Sequence, residues 1–207
     1  MEHYETEEQQ IEAIKRFWKE NGTAIIVGAV LGLGGLWGWR YFNEQQVTQQ
    51  EEASVNFEQQ SAQLASDESA FSQAQAYIDQ HSDTGYALLM SFKLAQQAIE
   101  RGDLAEAAKQ LAFAASNGDN VAVQSIANLR LARVQLELDN TQEALVTIDK
   151  VLDQAFTAQQ QEVKGDIYLA QKLFDKARAA YSAALQANSA NTILKMKLDN
   201  LALTANG

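Results

Sequence analysis

The chain has no cysteine and no proline among its 207 residues, and its only histidines are His3 and His81. Without cysteine there is no thiol nucleophile, no disulfide and no thiolate metal centre. Two histidines so far apart, which the reading below puts on opposite sides of a membrane, exclude a Ser-His-Asp triad and a multi-histidine metal centre. The lack of proline removes the strongest helix breaker from a chain dominated by Ala, Gln, Leu and Glu. No alternating apolar pattern bounded by turn residues marks a strand, so no strand-borne glycine loop can cradle a phosphate. Basic runs are missing as well, and the formal net charge is -11. Nucleic acid is thereby excluded as a partner, because phosphate binding needs clustered Lys and Arg. Adjacent acids such as Glu51-Glu52 and Asp67-Glu68 point apart on a helix and read as solvated. These absences predict an all-α protein with no catalytic residue, no cofactor and no metal, whose work is recognition.

One long apolar run is present. Asn21 to Trp39 carries no charge over 19 residues, and a helix of that length spans roughly 28 Å, close to the hydrocarbon thickness of a bilayer. A cleaved secretory signal is the alternative, since Lys15, Arg16 and Lys19 precede the run. The run's length, its Glu-rich leading tail and its ending in Trp37-Gly38-Trp39-Arg40-Tyr41 favour an uncleaved anchor. Trp37, Trp39 and Tyr41 read as an interfacial aromatic belt, with Arg40 able to snorkel. The three leading bases, set against no Lys or Arg between Arg40 and Lys93, predict a cytoplasmic N-terminus. Everything after Tyr41 then lies across the membrane, in the periplasm of a bacterium. Gly28, Gly32 and Gly35 form a smooth stripe on the span, and Gly34 with Gly38 repeats the four-residue spacing on an adjoining face. Close packing against another membrane helix is one reading, and simple tolerance of glycine in lipid is the other.

The remainder is polar and divides by charge. Between Tyr41 and Phe92 stand eight acids and no base, while from Lys93 onward 12 bases face 13 acids. Residues 1–20 read as a tail, in which Thr6-Glu7-Glu8-Gln9 has capping-box spacing and Ile11, Ile14, Phe17 and Trp18 share a helix face. Residues 21–42 read as the anchor and 43–85 as acidic helices, Asn43 to Ala65 and Ser69 to Gln80, with breaks at Ser66-Asp67-Glu68 and at His81 to Gly85. Phe57, Leu64, Phe71, Tyr77 and Ile78 would face the domain that follows.

Residues 86–190 repeat. Leu94-Ala95, Gly102-Asp103, Ala107, Leu111 and Ala114 recur as Leu131-Ala132, Ala144, Ile148, Val151 and Leu152. A third copy reads Gly165, Tyr168, Ala177, Tyr181, Ala184 and Leu185. Anchored on Ala107, Ala144 and Ala177, the copies lie 37 and 33 residues apart. The pattern resembles the tetratricopeptide repeat, a helix-turn-helix of about 34 residues. The second copy departs from it at Ala132 and Gln135, and the terminal proline is absent, with Asp119 and Ser189 near its place. The expected architecture is a single N-terminal transmembrane helix followed by an α-solenoid of about three divergent hairpins. Residues 191–207 add a cap carrying Ile193, Leu194, Met196, Leu198, Leu201 and Leu203. A plain helical bundle is the alternative. In the repeat family the first helix of each hairpin lines a concave groove. That resemblance implies a groove of Leu89, Phe92, Gln96, Ile99, Ile126, Leu129, Arg133 and Leu136, an apolar strip suited to unfolded peptide unless these residues are ordinary core.

The tail with Ile-Lys-Arg-Phe-Trp-Lys, the Gly-rich span ending Gly-Trp-Arg-Tyr and the Ala- and Gln-rich repeats together resemble the YfgM family. Its members are ancillary subunits of the Sec translocon in the bacterial inner membrane. The resemblance implies partnership with the translocon channel and with the membrane-anchored chaperone PpiD, and handling of unfolded secretory clients. Two other classes stay open. The tail, Met1 to Gln10, could restrain a stress-response protein, or the domain could self-associate as an envelope scaffold.

Overall fold

A computed structural model describes residues 7–64, 68–82 and 84–204. Thr6 of the capping-box reading, Ser66 and Asp67 of the first break and Asp83 of the second lie outside the described residues. The chain divides into two units, Met1–Ser54 and Val55–Gly207.

The first unit is carried by helix α1, Glu7–Gln63, which also supplies the opening turns of the second. With no proline anywhere in it, nothing interrupts the backbone ladder. Its apolar stretch is the one helix among the described residues long and apolar enough to cross a membrane, and only 6% of that window is buried. A core helix of a water-soluble domain would cover such residues, whereas Leu31 and Leu33 are each 71% exposed. Side chains of that kind suit contact with lipid.

The second unit is a stack of hairpins. Helix α2, Glu68–Gln80, precedes three pairs. The first is α3, Gly85–Glu100, with α4, Leu104–Asn117, and the second is α5, Val121–Glu137, with α6, Thr141–Ile148. A short 3-10 turn, Gln154–Phe156, leads to the third, α7, Thr157–Ala170, with α8, Phe174–Ala187; α9, Thr192–Thr204, follows. Polar side chains start several helices by accepting from free backbone N–H groups: Thr84 from Ala87, Asp103 from Glu106, Asn120 from Val123. Each hairpin turns through the same left-handed residue, Gly102, Asp139 and Lys172 at φ 78, 64 and 60°. The bonds repeat too, with the N–H of Asp103, Asn140 and Leu173 returning to the carbonyls of Ala98, Gln135 and Tyr168 at 2.8 Å each. This is the Schellman closure of a helix.

Small residues sit where the paired helices cross. Ala95 and Ala107 are buried with Leu111, Ala132 and Ala144 with Ile148, and Ala177 with Tyr181. A Cβ built at Gly165 would collide with the Tyr181 ring. The second copy therefore tolerates Ala132 in the glycine position because its large partner is Ile148, a narrower side chain than Tyr181. The outer face of the first hairpin is covered as expected: Leu64, Tyr77 and Ile78 are buried against Ala87, Met90 and Leu94, and Phe57 and Phe71 pack on that cluster.

One expectation about the repeats is corrected. Leu152 does not continue the second hairpin, because α6 stops at Ile148 and Leu152 is 73% exposed. Of the cap residues, only Leu194 and Leu201 are buried and Leu198 packs beside them. Ile193 and Met196 face outward, and the side chain of Leu203 lies outside the described residues.

Candidate functional site

Helices α3 and α5, the first members of adjacent hairpins, leave a cleft of about 440 Å³ between them. Phe92, Gln96 and Ile99 fall on one face of α3 at intervals of four and three residues. Arg130 and Arg133, one turn apart on α5, form the facing wall. The buried side chains of Ala95, Leu111 and Val134 make the floor. Ile99 is 45% exposed, so the cleft opens with apolar surface. The Arg130 guanidinium lies over the Phe92 ring at 5.2 Å, a cation-π contact. Glu100, at the end of α3, is engaged locally: its two carboxylate oxygens accept from the amides of Gln96 at 3.0 Å and Gln97 at 2.8 Å. Among the described residues, no carboxylate lies within ion-pair distance of Arg130 or Arg133.

The eight groove positions separate accordingly. Phe92, Gln96, Ile99 and Arg133 come together in the cleft. Leu129 does not, because Val163 of α7 and the Ala144–Ile148 side of α6 bury it to 5% exposure. Leu136 packs on that same cluster. Ile126 is half-buried, and Leu89 is exposed outside the lining. Arg130 was not anticipated. Its helical phase points it toward the preceding hairpin, and the only sequence signal is an arginine next to Leu129, the residue one repeat after Phe92.

A second polar cluster lies at the other end of the stack. Lys197 of α9 donates to Glu162 Oε1 at 2.9 Å and to Asp166 Oδ1 and Oδ2 at 2.7 and 2.9 Å. Tyr181 donates its hydroxyl to Asp166 Oδ1 at 2.7 Å, with the Lys197 ammonium 5.7 Å from its ring centre. Burial, then the hydrogen bond to Asp166, then the Asp166 and Glu162 charges raise the Tyr181 pKa. For Lys197 burial works downward, but hydrogen bonds and charge from Asp166 and Glu162 outweigh it and hold the group above its usual value.

In the anchor, apart from the helix's own neighbouring backbone, no atom of the described residues comes within 4 Å of a Cβ built at Gly28, Gly32, Gly34, Gly35 or Gly38. Trp37, Trp39, Arg40 and Tyr41 are exposed, as are Lys15, Arg16 and Lys19. Trp37 stacks on Tyr41 with ring centres 6.3 Å apart.

Stacked hairpins, small residues at each crossing and a cleft between first helices define a tetratricopeptide repeat-like protein, and the model of the tetratricopeptide repeat-like domain family matches residues 15–203. Among its relatives is an Escherichia coli K12 protein named ancillary SecYEG translocon subunit, 34% identical over 209 residues that cover 98% of this chain and 100% of that one. A Haemophilus influenzae protein of the same name is 34% identical over 94% of this chain and 97% of its own. One from Neisseria gonorrhoeae is 28% identical over the same shares. The chain belongs to the family of ancillary SecYEG translocon subunits. No solved structure matches it.

Proposed function

We propose that this chain is a non-enzymatic, single-pass inner-membrane accessory of the Sec translocon, with its N-terminus in the cytoplasm and its repeat domain in the periplasm. There it scaffolds the chaperone PpiD and helps receive newly translocated polypeptide. The observation that carries this reading is the end-to-end relationship to relatives named for that translocon, at 34% identity over 98% of the chain. The unburied apolar stretch of α1 supports an anchor, and Lys15, Arg16 and Lys19 support the orientation. Tethering at the exit raises the local concentration of binding surface, so a cleft of modest affinity suffices. The anchor's glycine faces are the natural place for a channel helix to pack closely.

A photocrosslinking residue in place of Leu31 should give an adduct with the translocon channel in intact membranes. The same residue in place of Ile99 should give adducts with a stalled secretory chain. Purification of the crosslinked material should bring down PpiD. Absence of any channel adduct from positions around the whole span would remove the translocon assignment. Adducts from Ile99 with folded partners alone would leave a scaffold and remove the receiving role.

A further inference from the structure

The hairpin junctions of the second unit share one geometry and are closed by different chemistry. Phe92 and Gln96 stand 70 residues before Glu162 and Asp166, the spacing that separates Ala107 from Ala177. Each pair therefore holds the same places on the first helix of its hairpin, α3 or α7. The helix after each hairpin sends one side chain onto that pair. At the last junction it is Lys197, in contact with Glu162 and Asp166. In the middle the equivalent pair is Leu129 and Arg133, and Val163 is buried with Leu129 in one apolar cluster. At the first junction it is Arg130, which lies over the Phe92 ring, lines the cleft with Gln96 and makes no ion pair among the described residues.

The cation of the last junction is thus paired within the chain and that of the first is not. Among the described residues Arg130 meets the Phe92 ring and no carboxylate, and Arg133 is in no ion pair. The one carboxylate lining the cleft, Glu100, is turned to Gln96 and Gln97. A small anion alone would pair with the arginines but leave Ile99 and the apolar floor wet. A wholly apolar segment would cover the floor but strip water from two guanidiniums without supplying a counter-charge. A peptide carrying a carboxylate beside an aliphatic side chain satisfies both, because a guanidinium fork matches a carboxylate in charge and geometry.

We propose that the cleft between α3 and α5 binds an acidic, leucine-bearing segment of unfolded polypeptide. Its carboxylate pairs with Arg130 and Arg133, and its aliphatic side chain rests on Phe92, Ile99 and Leu111. The proposal deepens the receiving role and rests on it; it does not need the translocon assignment. The contact of Lys197 with Glu162 and Asp166 is the internal template, with the charges supplied from one chain there and from two here.

The test uses the full chain in lipid nanodiscs and a fluorescein-labelled dodecapeptide of interleaved leucine and glutamate flanked by glycine and serine. Two counterparts replace its glutamates by glutamine or its leucines by serine. Saturable binding is expected on the order of 10 μM at low salt, weakened about tenfold or more by either replacement. Arg130→Gln with Arg133→Gln should weaken the glutamate peptide by a similar factor, and in that variant the glutamine peptide should bind no worse than the glutamate one. Gln96→Glu, which supplies a carboxylate within the chain as Asp166 does for Lys197, should also weaken the peptide about tenfold. Circular-dichroism melts of both variants should match the parent, since all three side chains are exposed. Equal affinity for the glutamate and glutamine peptides, binding indifferent to the arginines, or no saturable binding at millimolar peptide would each overturn the proposal. So would a size measurement in which the arginine variant dissolves a dimer that no peptide competes for, since the occupant would then be a second copy. Peptide binding without a channel adduct from Leu31 would instead remove the translocon assignment and leave this inference standing.

Discussion

At the scale of single residues, the hairpin crossings show how one side chain sets the size allowed to another 16 positions away. Gly165 exists because Tyr181 fills the space a Cβ would need, and Ala132 is permitted because Ile148 does not. Gly165→Ala should destabilise the domain by about 1–3 kcal/mol, since the ring must move within a packed interior. Adding Tyr181→Leu should recover part of that loss by recreating the Ala95–Leu111 pairing of the first hairpin. Urea melts of the two single variants and the double would give the coupling, and strictly additive losses would show that the ring and the glycine do not oppose each other. The glycine, alanine and tyrosine letters were legible in the sequence because a repeat shows its crossing residues at fixed spacing. The fate of Leu129 was not, because the side chain that covers it, Val163, comes from the next hairpin and leaves no trace in the local pattern.

At the scale of elements, the second hairpin departs from its neighbours because side chains replace a turn of helix. After Ile148 the chain leaves α6, and the N–H groups of Leu152 and Asp153 donate to the hydroxyl of Ser125 at 3.3 and 3.1 Å. The amide of Gln160 donates to the carbonyls of Ile148 and Val151 at 2.9 and 3.0 Å. Ser125 is 1% exposed, so Ser125→Ala should strand these donors and lower stability by about 1–3 kcal/mol in a denaturant melt. No loss would mean that water replaces the hydroxyl. The repeat pattern placed Leu152 in the second copy, because nothing in residues 149–153 announces that the capping groups sit 24 or more residues before and seven or more after. The element that closes the stack, α9, is held by charge as well as by Leu194 and Leu201. Tyr181, buried and bonded to Asp166, keeps its proton in the fold above its ordinary pKa of 10.0. Lys197, despite the opposing effect of burial, also keeps its proton above 10.5 because of Asp166 and Glu162. Both groups bind protons more strongly folded than unfolded. Their contribution is therefore complete below about pH 10 and falls as the pH rises beyond it. Thermal melts from pH 8 to 11 should show that alkaline loss, and Tyr181→Phe should flatten it. Lys197→Met should cost about 1–2 kcal/mol at neutral pH, discounted for the partial exposure of the cluster. An alkaline limb unchanged in Tyr181→Phe would assign the loss to other groups.

At the scale of the whole chain, the organisation into an apolar helix followed by repeats was legible because each signal is long: 19 uncharged residues and three copies of one spacing. The orientation rests on a smaller asymmetry, Lys15, Arg16 and Lys19 before the span against none between Arg40 and Lys93. The absence of cysteine makes it directly measurable, since any thiol introduced is the only one present. With Glu12→Cys and Ser82→Cys, both at exposed positions on either side of the apolar run, a maleimide that cannot cross lipid should label Cys introduced at 82 on intact spheroplasts. It should label position 12 only after permeabilisation. In the double variant both labels should fall on one full-length chain, which a cleaved signal could not produce. Moving the asymmetry should move the label: Lys15, Arg16 and Lys19 changed to Gln, with Glu44, Glu51 and Glu52 changed to Lys, places the basic charge beyond the span. A measurable fraction of chains should then expose position 12 outside, because basic residues near the ends of a span set its direction. If position 82 stays protected in the parent chain while the spheroplasts are sealed, the repeat domain faces the cytoplasm, and a role in receiving translocated polypeptide falls with it.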